Sequence, residues 1–315
     1  MTLNQLRTFL AVAESGSVHG AAEQLVVTQA AVSASLAGLQ KSLGVALVTP
    51  DGRGLRLTDA GRAYATYVRR MLGLLDEARL AAVAAADPER SELRVAAVIT
   101  GAEQIMPGLL GGFRRRHPRT GVRLEAGNRE RVRSLLDRHQ VDLVLGGRPE
   151  PGWDVAVHAV RPHELVVVAG PELASEAPPG SSLLPWLARQ TWLLREPGSG
   201  TRASTEALLA ELDIAPLTLV VGSNGAIRES ARIGLGVTLM SRDAVSAELA
   251  SGQLSVLGVP GTPLHRDWYL VAHSQSLPPA ASRLVSLALR EGGFHPPDRG
   301  GSDDHERRPN RGRRA

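Results

Sequence analysis

Two fold classes in series are predicted for this 315-residue chain: an all-α N-terminal unit carrying a small β-hairpin and running into one long helix, then an α/β unit. Three observations carry the prediction. Apolar residues recur at helical spacing as far as Leu43, and two short apolar runs flank Asp51-Gly52 directly afterwards. From Leu93 onward, past a boundary at the stretch ADPERSE near residue 90, short apolar runs alternate with helical stretches.

The elements follow in order. Leu3, Leu6, Phe9, Leu10 and Ala13 make the apolar side of a first helix that ends at Gly16. Residues 17–43 then read as a helix, a tight turn and a second helix. In that second helix Val32, Leu36, Leu39 and Leu43 mark a buried stripe, and Gln29, Ala30 and Ser33 fall on the opposite side. Thr28 is the expected N-cap and Gly44 the expected stop. Small Ala21 and Ala22 allow a close helix crossing, so Gln29 and Ser33 could present hydrogen-bonding groups to base edges in a major groove. From spacing alone, an ordinary pair of packed helices fits equally well. The runs around Asp51-Gly52 predict a hairpin, and the unit then reads as a winged helix-turn-helix with Arg53 and Arg56 placed for phosphate or minor-groove contact.

From Tyr64, the positions Val68, Met71, Leu75, Ala78 and Ala82 keep a 3.5-residue repeat, opened by Thr58 as a cap and closed before Pro88. This predicts a linker helix over 59–90 that pairs two chains; a single amphipathic helix lying on its own domain is the other reading. A paired chain would set two recognition helices on the half-sites of a near-palindromic operator.

Charge qualifies the first unit. Up to Thr58 its cations are Arg7, Lys41, Arg53 and Arg56, against Glu14, Glu23 and Asp51. Affinity for DNA would then rest on helix N-termini, hydroxyls and dimerisation as much as on phosphate ion pairs. The whole chain carries a formal charge of +4 and no cysteine, which excludes disulfides and thiolate metal sites. No apolar run reaches membrane-spanning length and no secretory leader is visible, so a cytoplasmic protein without membrane partners is expected.

In the second unit, strands are predicted at Leu93–Ile99, Val122–Leu124, Val141–Leu145, Leu165–Ala169, Trp192–Leu194, Leu217–Val221, Val237–Met240 and Trp268–Ala272. Helices are predicted over Gln104–Arg116, Arg129–Arg138, Ala203–Leu212 and Ala226–Ile233. The alternation implies mostly parallel sheets. Residues 295–315, rich in Pro, Gly, Arg and Asp, are expected to form a disordered tail. Thr100-Gly101, Asn128-Arg129, the run from Gly198 to Arg202, and Ser223 to Gly225 all sit where a strand hands over to a helix. Ligands of open α/β sheets bind at such places, and helix N-termini there offer N–H groups to anions. With Arg129, Arg148 and Arg202 nearby, these turns suggest a cleft for a carboxylate or phosphate. Taken singly, each turn is weak evidence, since a capping Thr or Asn is usually just a cap.

The order and residues of the first unit resemble the LysR-type transcriptional regulators. The family pattern is met by Phe9, Glu14 to Ser17, Ala21 to Leu25, Thr28 to Ser33, Leu43 to Leu47 and Leu57 to Gly61. The resemblance implies that Ser17, Thr28, Gln29, Ala30, Ser33, Ala34, Arg53 and Arg56 face double-stranded operator DNA. The chain departs from the pattern at Ala30, where Pro is usual, at Ala34, where a basic residue is usual, and at Val48 and Pro50, where Phe and Arg are usual. The resemblance further implies a C-terminal α/β, two-lobed, periplasmic-binding-protein-like (type 2) effector domain over 91–294. Lobe I would take about 91–162 and 267–294 and lobe II about 163–266, with crossings near Arg161 to His163 and Pro260 to Arg266. It also implies homodimers that pair into homotetramers, with RNA polymerase as a possible partner.

LEAGNRERVRSLL, DLVLGGRP, WLLREPGSGTR and VGSNGAIRESARIGLGVTLMSRDAV resemble, within that family, the CbbR subgroup that controls Calvin-cycle carbon-fixation genes. That match implies an effector cleft lined by Thr100, Asn128, Arg129, Arg148, Ser199, Thr201, Arg202 and Asn224, and a small anionic effector such as a phosphorylated sugar, a phosphoglycolate-like intermediate or a reduced nicotinamide nucleotide. The stretch Ile99 to Glu103 departs from the subgroup's aromatic-containing one, leaving a regulator of an unrelated operon with another effector as the alternative. An Arg202→Ala change is expected to abolish the response and spare basal DNA binding.

An enzyme is the competing class. The sequence has no G-x-S-x-G elbow, H-E-x-x-H pair, phosphate-binding G-x-x-x-x-G-K-[ST] loop or G-x-G-x-x-G fingerprint. His19, His117, His139, His158, His163, His265 and His273 lack metal-ligand spacing. No catalysis, cofactor or metal is therefore expected. A ligand-binding transport component would need a leader and would have no use for the winged helix.

Overall fold

The computed structural model describes residues 1–52, 54–87, 91–273 and 277–297. The first unit contains α1 (Leu3–Ser15), α2 (Val18–Leu25), α3 (Gln29–Leu43), β1 (Val48–Asp51), β2 (Gly54–Leu57) and α4 (Asp59–Ala86). Thr2 starts α1 with a capping box, and Gly16 ends it in the left-handed conformation at φ 67°. The stripe on α3 is buried as its spacing predicts: Val32, Leu36 and Leu39 join Phe9, Ala21 and Ala22 in one apolar core. β1 and β2 pair antiparallel, Val48 opposite Leu57 and Asp51 opposite Gly54. Arg53, predicted on this wing, lies outside the described residues.

Thr58 caps α4 by accepting from the Gly61 N–H at 2.9 Å. A β-carbon at Gly61 would lie 1.9 Å from the Leu47 carbonyl oxygen, so only glycine lets α4 start this close to the strand. The predicted pairing repeat divides here. Tyr64 and Val68 pack into the core of their own unit, whereas Met71 and Leu75 are exposed together with Tyr67, Leu74 and Val83.

The second unit runs β3 (Glu92–Val98), α5 (Ile99–Gln104), α6 (Met106–Arg116), β4 (Gly121–Gly127), α7 (Arg129–Asp137), β5 (Leu143–Gly146), β6 (Ala156–Ala169), α8 (Pro171–Ser175), α9 (Leu183–Leu187), β7 (Trp192–Leu194), α10 (Gly200–Glu211), β8 (Thr218–Val220), α11 (Asn224–Arg232), β9 (Thr238–Ser241), α12 (Ser246–Ala250), β10 (Ser255–Val256), β11 (Leu264–Ala272) and α13 (Pro279–Glu291). β3 pairs parallel with β4 and with β5, and β7 with β8. The pairs β5–β11, β6–β11, β6–β9 and β6–β10 are antiparallel, which corrects the expectation of mostly parallel sheets.

The cause is a pair of long strands, β6 and β11, running side by side with Arg161 opposite Trp268, His163 opposite Arg266 and Leu165 opposite Leu264. Their apolar ends feed two different cores. Ala159, Trp268, Leu270 and Ala272 belong to the core of β3, β5, α6 and α13; Leu165, Val167, Ala169 and Leu264 belong to that of α9, β7, α10 and β9. These cores define lobe I and lobe II below. Inside lobe I, Asp142 anchors Arg94 with Oδ1–Nη2 at 2.6 Å, both side chains buried.

Other boundaries differ from the sequence reading for identifiable reasons. The charged residues Arg161, His163, Glu164, Arg266 and Asp267 interrupt the apolar pattern, so only the lobe II end of β6 and the lobe I end of β11 were predicted. The predicted helix Gln104–Arg116 is two helices broken at Ile105, with Pro107 in the first turn of the second. Thr100-Gly101, read as a turn, lies in the first turn of α5. The tail does not begin at His295: its backbone exchanges hydrogen bonds of 2.8 and 2.9 Å with Val160, and Phe294 is buried in lobe I. The remainder of the expected tail, from residue 298, lies outside the described residues. Among the described residues no helix is long and apolar enough to cross a membrane.

Candidate functional site

The first unit offers a reading surface built on α3. Thr28 accepts from the Ala31 N–H at 3.2 Å and is spent on capping, as is Ser17 at the start of α2, which accepts from the Gly20 N–H at 3.0 Å. Gln29, Ala30, Ser33 and Ala34 are all exposed on α3. The Gln29 amide Nε2 lies 3.1 Å from His19 Nδ1, and the His19 ring in turn lies 3.3 Å from Glu23. Arg56 is exposed on β2. The surface therefore combines one amide, one free hydroxyl and two methyl groups with a cation on the wing, able to contact bases and phosphates but with little net charge. The turn into α3 passes through Val26 at φ 56°, a strained conformation for a β-branched residue, with the side chain 89% exposed.

The second unit holds a cleft, partly open to solvent, where lobe I, lobe II and the β6–β11 ribbon meet. Of the predicted residues, Thr100, Asn128, Arg129, Ser199 and Thr201 line it. Arg148, Arg202 and Asn224 do not. Arg148 lies beside it, its carbonyl accepting from Arg129 Nη2 at 2.7 Å and its Nε 3.3 Å from the Tyr269 hydroxyl. Arg202 points along its own helix, 2.7 Å from Glu206, and donates to the Arg195 carbonyl at 3.2 Å. Asn224 is buried behind Thr100, in a smaller space that shares Thr100, Arg195 and Thr201 with the cleft.

Several lining groups escaped the sequence reading: His163, Arg195, Glu196, Ser204, Arg266 and Trp268. Most come from the ribbon or from the end of β7, where no turn or glycine signal marks them. Arg266 is accessible within the cleft and donates to the buried Ser204 hydroxyl. Partial burial, and then the charge of Arg129, hold its guanidinium below the usual arginine pKa. Two neighbouring cations thus face the cleft. Arg195, by contrast, is buried and matched by Glu196 at 2.7 and 2.8 Å. Partial burial pushes the Glu196 carboxyl up, but the hydrogen bonds and charge of Arg195 outweigh it, for a net lowering.

His163 packs against Trp268, ring centroids 4.5 Å apart, and its Nε2 lies 2.8 Å from Ser241 Oγ. Burial lowers its pKa to about 4, with Asp243 opposing the shift. It is neutral at physiological pH. Trp268 Nε1 is buried with no hydrogen-bond partner among the described residues.

Backbone donors complete the site. The Ser199 side chain makes no cap bond to α10, and among the described residues no other group accepts from the first N–H groups of that twelve-residue helix, which lie beside the cleft. Gly198, at φ 84°, turns the chain into this helix, and a β-carbon there would come within 3.0 Å of Asn128 Nδ2 on lobe I. The Asp267 carboxylate also lines the cleft and Arg129 Nε lies 3.4 Å from Glu150 Oε1. With Arg195 matched by Glu196, the donors of Arg129, Arg266 and α10 still make the lining donor-rich, the chemistry of an anion site. No group of His, Asp and Glu able to hold a metal occurs among the described residues.

Comparison with known proteins assigns both regions. Residues 3–62 match the family model of the bacterial regulatory helix-turn-helix protein, lysR family, and residues 86–293 match that of the LysR substrate binding domain. The chain is 35% identical to the transcriptional regulator CfxR of Cupriavidus necator over 92% of this chain and 91% of that protein. It is likewise 35% identical to the transcriptional regulator CbbR of Xanthobacter flavus, over 96% and 91%. Among solved structures, full-length CbnR complexed with its target DNA aligns with a TM-score of 0.65 at 22% identity, covering 92% of this chain and 99% of that one. The Synechocystis CcmR regulatory domain in complex with 2-PG aligns with a TM-score of 0.56 at 25% identity, covering 64% and 98%. This chain belongs to the LysR family of transcriptional regulators.

Proposed function

We propose that this regulator senses a small polyanionic metabolite in the cleft of its second unit and that effector binding alters its grip on promoter DNA controlling carbon-fixation genes. The observation that carries the effector class is the paired exposure of Arg129 and Arg266 to the cleft, beside the open N-terminus of α10. The gene class rests on kinship with CbbR and CfxR, and 2-PG, the ligand named for the CcmR domain, is the first candidate effector.

In this reading Gln29, Ser33 and Arg56 contact the operator, with Ser17 and Thr28 holding the helices that carry them and Ala30 and Ala34 offering methyl contacts. Arg53 belongs to the same interface by its place in the sequence. Thr100, Asn128, Arg129, Ser199 and Thr201 contact the effector, while Arg148, Arg202 and Asn224 support them. The exposed face of α4 pairs two protomers, and the dimer pairs again into a tetramer in the cytoplasm. The protein acts by binding alone, without catalysis. An effector shifts the equilibrium between lobe arrangements only to the extent that it binds one of them more tightly.

The test is a gel-shift titration on the protein's own upstream intergenic DNA, with and without 2-PG and a panel of phosphorylated and carboxylated metabolites. Specific binding that one anion changes supports the reading. Specific binding indifferent to every anion, or modulated by a neutral or cationic metabolite, overturns it.

A further inference from the structure

Asn224 sits on α11 of lobe II, 5% exposed, and its amide reaches across to lobe I. Its Nδ2 donates to Thr100 Oγ1 at 3.1 Å and to Glu103 Oε2 at 2.9 Å. Its Oδ1 accepts from Arg195 Nη1. A primary amide in a protein interior could sit either way round, but here both sides forbid the reversal. Arg195 has only donors to offer and Glu103, as a carboxylate, only acceptors, so Oδ1 must face the first and Nδ2 the second. Arg195 is itself fixed by its two bonds to Glu196. The polarity of the whole chain of groups is thereby set.

The consequence falls on Thr100. A threonine hydroxyl can donate once and accept, and in an uncommitted site it adapts to whatever a ligand presents. At Thr100 the oxygen already accepts from Asn224, and no described group takes the hydroxyl proton. Thr100 lines the cleft, and having accepted from Asn224 it keeps that proton and one lone pair, the first strengthened as a donor and the second weakened as an acceptor.

We propose that Asn224, oriented by Arg195 and Glu103, is a positioning residue that biases the Thr100 hydroxyl toward donating, and so makes the cleft favour an effector with an oxyanion over one with a donor group at that point. The inference rests on the anionic-effector reading above and sharpens it. Because the relay crosses from lobe II to lobe I, each effector oxygen that binds Thr100 also strengthens the bond from Asn224, tying recognition to the junction of the lobes.

The experiment is isothermal titration of the full chain with 2-PG and, separately, with inorganic phosphate, in the wild type, Asn224→Asp, Thr100→Val and the double variant. Asn224→Asp keeps the size of the side chain and its pairing with Arg195 but replaces the donor facing Thr100 by an acceptor, which consumes the hydroxyl proton. Each single change is expected to weaken anion binding about tenfold or more, the scale of one hydrogen bond to a charged group. The double variant is expected to bind no more weakly than Asn224→Asp alone, because the proton that Thr100→Val removes is already spent. A merely structural or electrostatic role for Asn224 gives losses that multiply instead, and that result, or unchanged binding in Asn224→Asp, overturns the relay while leaving the anion site standing. A wild type that binds neither anion overturns the anion reading, and the relay falls with it.

Discussion

Two helices of this protein begin alike and end up with opposite tasks. α3 follows Thr28 and α10 follows Ser199, both hydroxyl residues favoured as N-caps. Thr28 closes the end of α3 with its own side chain, and α3 presents Gln29 and Ser33 outward. Ser199 makes no such bond, and the first backbone N–H groups of α10, at the cleft, find no acceptor among the described residues. The same residue type therefore serves stability in one place and recognition in the other, and only its hydrogen bonds tell the two apart.

Acid should separate the two units most strongly. The folded pKa of His163 lies at about 4, below its ordinary value of 6.5, so between these values the unfolded chain binds the extra proton. The stability linked to neutral His163 is fully present above 6.5 and is lost as pH falls toward 4, by up to about 3 kcal/mol. Urea unfolding followed through the effector unit should show this slope, and His163→Asn should flatten it without changing the response of the winged unit.

Next comes Arg266→Ala, which should lower effector affinity by roughly 10- to 100-fold, about 1.5–3 kcal/mol for a charged hydrogen-bonding group. Operator binding without effector should stay the same in a gel shift. Arg202→Ala should fall well short of that loss, since the structure gives Arg202 to Glu206 and the Arg195 carbonyl; the abolished response expected from sequence is replaced by a partial one. Thr28→Ala should destabilise the winged unit by about 1 kcal/mol, read from the shift in its unfolding midpoint. Val26→Gly should stabilise the same unit by roughly 0.5–1 kcal/mol by relieving the left-handed strain. Ser199→Ala should change stability by less than about 0.5 kcal/mol, because no cap bond is lost. A loss near that of Thr28→Ala would show that Ser199 caps α10 in solution and would erase the contrast.

Legibility followed local signals. The helices of the winged unit were visible in the stripe Val32, Leu36, Leu39 and in Gly16 and Gly44, because one residue there decides one backbone turn. In the cleft, Asn128, Ser199 and Thr201 were visible because they sit at strand-to-helix junctions. His163, Arg266 and Trp268 were not. They belong to a ribbon whose charged residues break the alternation that marks a strand, and they come together only through pairing of residues far apart in the chain. Burial of Asn224 was equally hidden, since an asparagine opening a helix reads as a cap whichever way it faces.

The β6–β11 ribbon also has a meaning for how such a protein can be inherited or rebuilt. The chain leaves lobe I at Arg161 and re-enters it at Trp268, and these residues are direct cross-strand neighbours. Everything between them is, in effect, a cassette with adjoining ends. Exchanging that cassette with a relative's would need only two cuts within one pair of hydrogen-bonded strands, and would bring in one wall of the sensing site while the DNA-reading unit stayed as it was.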